Sequence, residues 1–299
     1  MKIQSFEGVI PPMVTPLNED GSVDVEGLRE IARFLIDNGV HGLFPLGTIG
    51  EGPKFNREER RMIIEIVVEE ADKKRIVVMP GTGGMTTRDT ITFTRDAKNV
   101  GVIATVIHPP WYFHPTPEAL LQHFRTIANK VDIPIILYNI PVFAGYEIPI
   151  EVVVKTSKIE NIVGMKDSSA NMLYYQQLIS SCKEDFNLIQ GYGSLFLPSL
   201  LLGGRTTMAG EANLAPKIMV GIYDNFIKGD LEKARLLHYK IASLLPIFSY
   251  GTFPAGVKEA MNMMGLRAGY VRKPSTELND SQRKKISQAL RDVALLSKE

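Results

Sequence analysis

Three stretches place reactive side chains at the ends of apolar runs. In "NIVGMKDSS" (161 to 169) the run Ile162, Val163, Gly164, Met165 reads as a buried strand, and Lys166 ends it with an amine. Lysine is seldom fully buried unless it is paired or chemically used. Within an apolar wall its charged form is desolvated, so its pKa falls from about 10.4 toward neutrality. The neutral amine is a nucleophile that attacks ketones to form a Schiff base, whose protonated imine makes the adjacent carbon acidic. Tyr138 and Asn139 end a second run, "IPIILYN" (133 to 139), and a tyrosine hydroxyl beside such a lysine can shuttle the protons required. Thr48 lies in "GTIGEG", where glycine-rich backbone after a strand can form a small anion nest for a carboxylate. The competing reading of Lys166 is a structural ion pair with Asp167 or a neighbouring carboxylate, and these residues alone leave both open.

Other chemistries find less support. The five histidines (His41, His108, His114, His123, His238) show no H-x-H or H-E-x-x-H spacing, so no metal site is expected. His123 is expected on a helix surface, while His108 and His114 flank the loop around Tyr112. The single cysteine, Cys182, reads as packing and points to a reducing compartment. "GTGG" at 81 to 84 reads as a tight turn.

These side chains need a scaffold that gathers strand ends. Eight β-branched runs alternate with helical periodicity: 8 to 14, 42 to 47, 75 to 81, 101 to 107, 133 to 139, 161 to 166, 186 to 191 and 205 to 210. Helices are expected over Asp24 to Asn38, closed by Gly39; over Asn56 to Lys73, opened by an Asn56/Glu59 capping box; over Thr87 to Asn99; and from the Thr116 cap with Pro117 onward. Further helices are expected at about 149 to 159, 171 to 182 and 195 to 203. After about residue 216 only helical segments follow, at 217 to 228, 231 to 246, 254 to 264 and 280 to 298. The pattern predicts an α/β fold, a (β/α)8 TIM barrel over 1 to 224 with a C-terminal helical extension over 225 to 299. An open doubly wound sheet is the competitor, but no G-x-G-x-x-G opens the first strand-helix turn. In a barrel the active site lies at the C-terminal strand ends, where Thr48, "PPWYFHP", Tyr138 and Lys166 all fall.

The chain has 299 residues, 44% hydrophobic and 22% charged, with a net charge of +1, which favours neither nucleic acid nor other phosphate-rich partners. The N-terminal stretch lacks a signal-peptide apolar region, and no stretch reaches the ~20 apolar residues of a membrane span, so a cytoplasmic protein without a membrane partner is expected.

Together "GTIGEG", "PPWYFHP", "YNIP", "GMKDSS" and "GGRTTMAGEANLAP", in this order, resemble the dihydrodipicolinate synthase and N-acetylneuraminate lyase superfamily over nearly the whole chain. The resemblance implies a (β/α)8 barrel, usually a homotetramer built as a dimer of dimers, with metal-free and cofactor-free class I pyruvate chemistry. It implies that Lys166 forms the Schiff base, that Tyr138 relays protons, that Thr48 is linked to this tyrosine, and that Tyr112 reaches a neighbouring subunit's site. The backbone around Thr48 and Ile49 would hold the pyruvate carboxylate. Gly47, Phe143, Gly191, Ser194, Met208 and Glu211 are further expected substrate contacts.

Three departures bear on the substrate. Ile49 stands where most members carry a second hydroxyl, a loss of about 1 kcal/mol if nothing replaces it. "YNIPVFAG" has Phe143 where the synthases' "YNxPxRTG" carries a carboxylate-binding arginine, and an aromatic ring cannot replace a bidentate anchor. Gly193 and Ser194 stand where sialic-acid lyases carry acidic residues. "GEGP" and "GMKD" resemble the motifs of enzymes that cleave 2-keto-3-deoxy sugar acids such as 2-keto-3-deoxygluconate. The leading expectation is therefore a class I aldolase acting on such an acid, giving pyruvate and an aldehyde. The alternative is dihydrodipicolinate synthase, condensing pyruvate with aspartate semialdehyde; an imine-forming dehydratase and a silent keto-acid-binding barrel are further readings.

Overall fold

The computed structural model describes residues 6–297. Eight short parallel strands alternate with helices: β1 (Gly8–Val9), β2 (Gly42–Leu43), β3 (Val77–Val78), β4 (Thr105–Ile107), β5 (Ile135–Asn139), β6 (Ile162–Asp167), β7 (Asn187–Gln190) and β8 (Thr206–Thr207). Six run side by side in the order β1, β8, β7, β6, β5, β4, and β2 pairs with β3. Two isolated parallel bridges, Pro12 to Phe44 and Gly81 to Val106, join these groups and close the ring into a barrel.

Closure explains the composition of the strands. Ile10, Phe44, Met79, Val106, Ile136, Val163, Ile189 and Met208, on or just beyond successive strands, form an apolar cluster inside the ring. The alternate strand residues, such as Val9, Leu43, Ile107, Leu137 and Leu188, belong to the larger cluster beneath the helices. Both faces are thus buried, as parallel strands require. The hydrogen-bonded strands are shorter than the apolar runs. In "GVIPPMV", Pro11 and Pro12 have no amide to donate, so regular pairing stops at Val9 and resumes only as the Pro12 bridge.

The surrounding helices begin where their caps predict. Asp24 accepts from the Gly27 amide ahead of Val25–Asp37, and Asn56 with Glu59 forms a reciprocal capping box ahead of Arg57–Asp72. Thr116 caps Pro117–Lys130. His123, expected on that helix's surface, is instead buried and bonds Thr87 Oγ1 through Nδ1 at 2.9 Å. The neighbouring helix Thr87–Val100 packs against this face, a contact that local periodicity does not encode.

After Pro216–Ile227 the chain continues as helices Leu231–Ala242, Ala255–Met263 and Asp280–Asp292, with a 3-10 turn at Leu245–Ser249. The expected helix over 231 to 246 ends early, since Pro246 cannot continue an α-helical ladder. The expected helix over 280 to 298 ends at Asp292, and residue 298 lies outside the described residues. None of the helices is long and apolar enough to cross a membrane, among the described residues.

The tail is tied to the barrel by charge. Lys258, on Ala255–Met263, donates to Glu51 Oε1 at 2.7 Å and also to the Tyr270 carbonyl. Glu51 Oε2 accepts from Lys54 Nζ at 2.8 Å and from the Arg272 amide at 3.0 Å. Arg272 in turn forks onto Glu59, at 2.6 and 2.9 Å.

Candidate active site

Parallel pairing of β5 with β6 sets Tyr138 directly opposite Lys166, and Asn139 opposite Asp167. The Lys166 Nζ lies 4.2 Å from the Tyr138 ring centroid and 5.1 Å from that of Phe44. Lys166 is 3% exposed, and among the described residues no carboxylate approaches within ion-pair distance of its amine. Burial lowers its pKa to about 7, with the Glu211 carboxylate opposing that shift. A substantial share of the amine is therefore neutral near pH 7.

Asp167 does not pair with it. Its carboxylate accepts from Asn139 Nδ2 at 2.8 Å, from the Ser169 amide at 3.1 Å and from Ser169 Oγ at 2.9 Å. Asn139 Oδ1 also accepts the Ile148 amide at 3.0 Å. "KDSS" thus divides its work: the aspartate pins the strand end while the lysine stays free.

The Tyr138 hydroxyl meets Thr48 Oγ1 at 3.4 Å, and Ser168 bonds it as well. Burial pushes its pKa up to about 12, so it remains a protonated donor at neutral pH. Thr48 sits on the turn after β2, flanked by Leu46 (φ 59°) and Glu51 (φ 55°) in left-handed backbone. Such strain in non-glycine residues persists only where surroundings enforce it. Here Arg60 helps: its buried guanidinium donates to the Gly52 carbonyl at 2.7 Å and the Gly81 carbonyl at 2.8 Å, stacked over Phe93. Gly52 itself has no room for a side chain, since an added Cβ would fall 2.0 Å from the Leu46 carbonyl oxygen. Among the described residues the amides of Thr48 and Ile49 donate to no protein acceptor, which leaves them available to an anion.

These groups line one cavity of about 320 Å³. Of the expected contacts, Thr48, Ile49, Tyr138, Phe143, Lys166, Gly191, Met208 and Glu211 border it. Gly47 does not; it lies against the Phe44 ring, 2.9 Å from where its Cβ would be. Ser194 does not either, because its amide turns instead to the Glu211 carboxylate. Tyr112 stands 75% exposed, edge-on to Phe113 with ring centroids 5.0 Å apart, outside this chain's cavity. Residues that the motifs did not single out complete the walls: Ser168 and Tyr192 from the barrel, and Leu245, Phe248 and Phe253 from the tail. Phe143 meets Phe253 with ring centroids 5.5 Å apart, so a barrel loop and the tail share the cavity's rim. Ser168 was readable from its place after Lys166; the tail residues carry no local signal.

Comparison with known proteins agrees over nearly the whole chain. The model of the dihydrodipicolinate synthetase family matches residues 5–293. The 4-hydroxy-tetrahydrodipicolinate synthase of Methanosarcina mazei is 37% identical over 292 residues, covering 97% of this chain and 99% of that protein. The enzyme of the same name from Archaeoglobus fulgidus is also 37% identical, covering 98% of this chain and 100% of that protein. Among solved structures, dihydrodipicolinate synthase from Aquifex aeolicus superposes with a TM-score of 0.93 at 35% identity, covering 98% of this chain and 100% of that chain. A prophage protein of the dihydrodipicolinic acid synthase family from E. coli K12, in complex with pyruvate, gives 0.94 at 29% identity, covering 98% and 100%.

Proposed function

This chain belongs to the dihydrodipicolinate synthetase family of pyruvate-dependent class I aldolases, and on that premise we propose that Lys166 captures pyruvate as a Schiff base and passes its enamine to an aldehyde. The observation that carries this reading is the buried, carboxylate-free amine of Lys166 lying against Tyr138. The neutral amine attacks C2 of pyruvate, and loss of water leaves a protonated imine. A proton then leaves C3, and the resulting enamine attacks the aldehyde carbon. Tyr138 gives and takes protons at the imine, held by Thr48 and Ser168. The free amides of Thr48 and Ile49 receive the pyruvate carboxylate. Sodium borohydride with pyruvate is expected to add a reduced pyruvyl mass at Lys166; no added mass would overturn the mechanism.

For the aldehyde, the names of the archaeal relatives favour aspartate semialdehyde, giving 4-hydroxy-tetrahydrodipicolinate. That reverses the order of preference drawn from the motifs. A specific observation favours the second reading, cleavage of a 2-keto-3-deoxy sugar acid: among the described residues Lys166 is the sole cationic side chain bordering the cavity, and the half-exposed Phe143 lines it. Turnover of pyruvate with aspartate semialdehyde and with glyceraldehyde, compared in one assay, decides between them. We further place the chemistry in the barrel, residues 1–224, with the helical extension, 225–299, supplying part of the wall. The exposed Tyr112 and Phe113 support the expected tetramer, which light scattering tests.

A further inference from the structure

Around the barrel, Tyr138 on β5 and Glu211 beyond β8 lie on opposite sides of Lys166. Among the described residues Glu211 is the sole carboxylate bordering the cavity, as Lys166 is the sole cation. It is 3% exposed, and among the described residues it has no ion-pair partner. A buried carboxylate without a cation is costly to keep, so its cradle is informative. Gly193 donates its amide to Oε1 at 3.0 Å, and the Ser194 amide adds a second hydrogen bond. The cradle depends on Gly193 lacking a side chain, because a Cβ there would lie 2.8 Å from Glu211 Cδ. The carboxylate is thus fixed in place by backbone on the turn Gly193–Leu195 while bordering the substrate space.

We propose that Glu211 is a specificity-determining residue that accepts a hydrogen bond from a hydroxyl or ammonium group of the aldehyde partner, and that the site rejects phosphorylated aldehydes. The proposal rests on the imine reading of Lys166, which assigns the opposite side of the cavity to proton transfer. A carboxyl oxygen accepts from a hydroxyl in either protonation state, whereas an ammonium demands the carboxylate. A phosphate would meet an acidic side chain and no second cation, so discrimination arises from repulsion as well as attraction. Burial raises the Glu211 pKa, opposed by the backbone hydrogen bonds that cradle it and then by Lys166.

The test compares kcat/KM, with pyruvate as donor, in the wild-type protein, Glu211→Gln and Glu211→Leu. Glyceraldehyde is set against propionaldehyde, which lacks hydroxyls; aspartate semialdehyde against succinate semialdehyde, which lacks the ammonium; and glyceraldehyde against its 3-phosphate. Loss of one donor contact predicts a drop of about tenfold in at least one of the first two ratios for Glu211→Leu. A fall in the ammonium ratio in both variants identifies an ammonium as the recognised donor, whereas a fall in the hydroxyl ratio in Glu211→Leu with both ratios retained in Glu211→Gln identifies a hydroxyl. The wild-type protein is expected to favour glyceraldehyde over its phosphate. Unchanged ratios in both variants, or equal use of the phosphate, overturn the assignment while leaving the imine chemistry standing. Failure to trap pyruvate at Lys166 in the wild-type protein overturns that chemistry and the donor assignment with it.

Discussion

Lys166 and Lys258 are both almost fully buried, at 3% and 1% exposure, yet their surroundings give them opposite uses. Lys258 lies 2.7 Å from Glu51 in a junction closed by the Tyr270 carbonyl. Burial pulls its pKa down to about 8 and Glu51 pulls back, so the ammonium persists at neutral pH. Lys166 has aromatic rings where Lys258 has a carboxylate, and its pKa falls to about 7. Burial beside Glu51 leaves Lys258 an ammonium; burial without a close counter-ion leaves a larger share of Lys166 neutral.

The largest effect that can break this comparison is on turnover. Lys166→Ala should lower kcat by about 10⁴-fold or more, since the covalent step has no substitute, while stability measured by urea unfolding holds or rises. Equal destabilisation by Lys166→Met and Lys258→Met would show that the first amine is structural too. Lys258→Met should cost about 1–3 kcal/mol in the same unfolding experiment, because Glu51 Oε1 is left buried without its donor while Lys54 still pairs with Oε2. Adding Glu51→Gln should recover part of that loss. Tyr138→Phe should lower kcat by about 10²- to 10³-fold with borohydride trapping at Lys166 retained.

The pH dependence sharpens the contrast. The folded pKa of Lys166 lies below its unfolded value, so the folded state binds fewer protons between about 7 and 10.5. Its unfavourable contribution to stability is full below pH 7 and fades as pH rises through that window. The stability difference between Lys166→Ala and wild type should shrink accordingly, and kcat/KM for pyruvate should rise with a midpoint near 7. The smallest effect expected is for Thr48→Val, about tenfold in kcat, because Ser168 still holds the Tyr138 hydroxyl.

The parts legible in the sequence were those written in local pattern. Apolar runs placed Tyr138 and Lys166 on neighbouring strand ends, and parallel pairing sets them in register. The Asn56/Glu59 capping box also formed as read. What escaped notice depends on chain segments far apart. Arg60 looks like one more charged residue on a surface helix until Gly52 and Gly81 are seen to need its guanidinium. His123 has the same helix spacing whether it faces solvent or Thr87. Ser194 and Glu211 each suggested a substrate contact, but backbone geometry turned the first toward the second. Phe248 and Phe253 lie in a segment with no catalytic motif, and only tertiary packing brings them to the cavity.

The link between Glu51 and Lys258 spans 207 positions of sequence, and the cavity wall uses Leu245, Phe248 and Phe253. During synthesis the N-terminal part of a chain emerges and folds first. Lys166 therefore leaves the ribosome well before the segment that closes the site around it. The cavity around the amine gains its last wall only when that segment has docked.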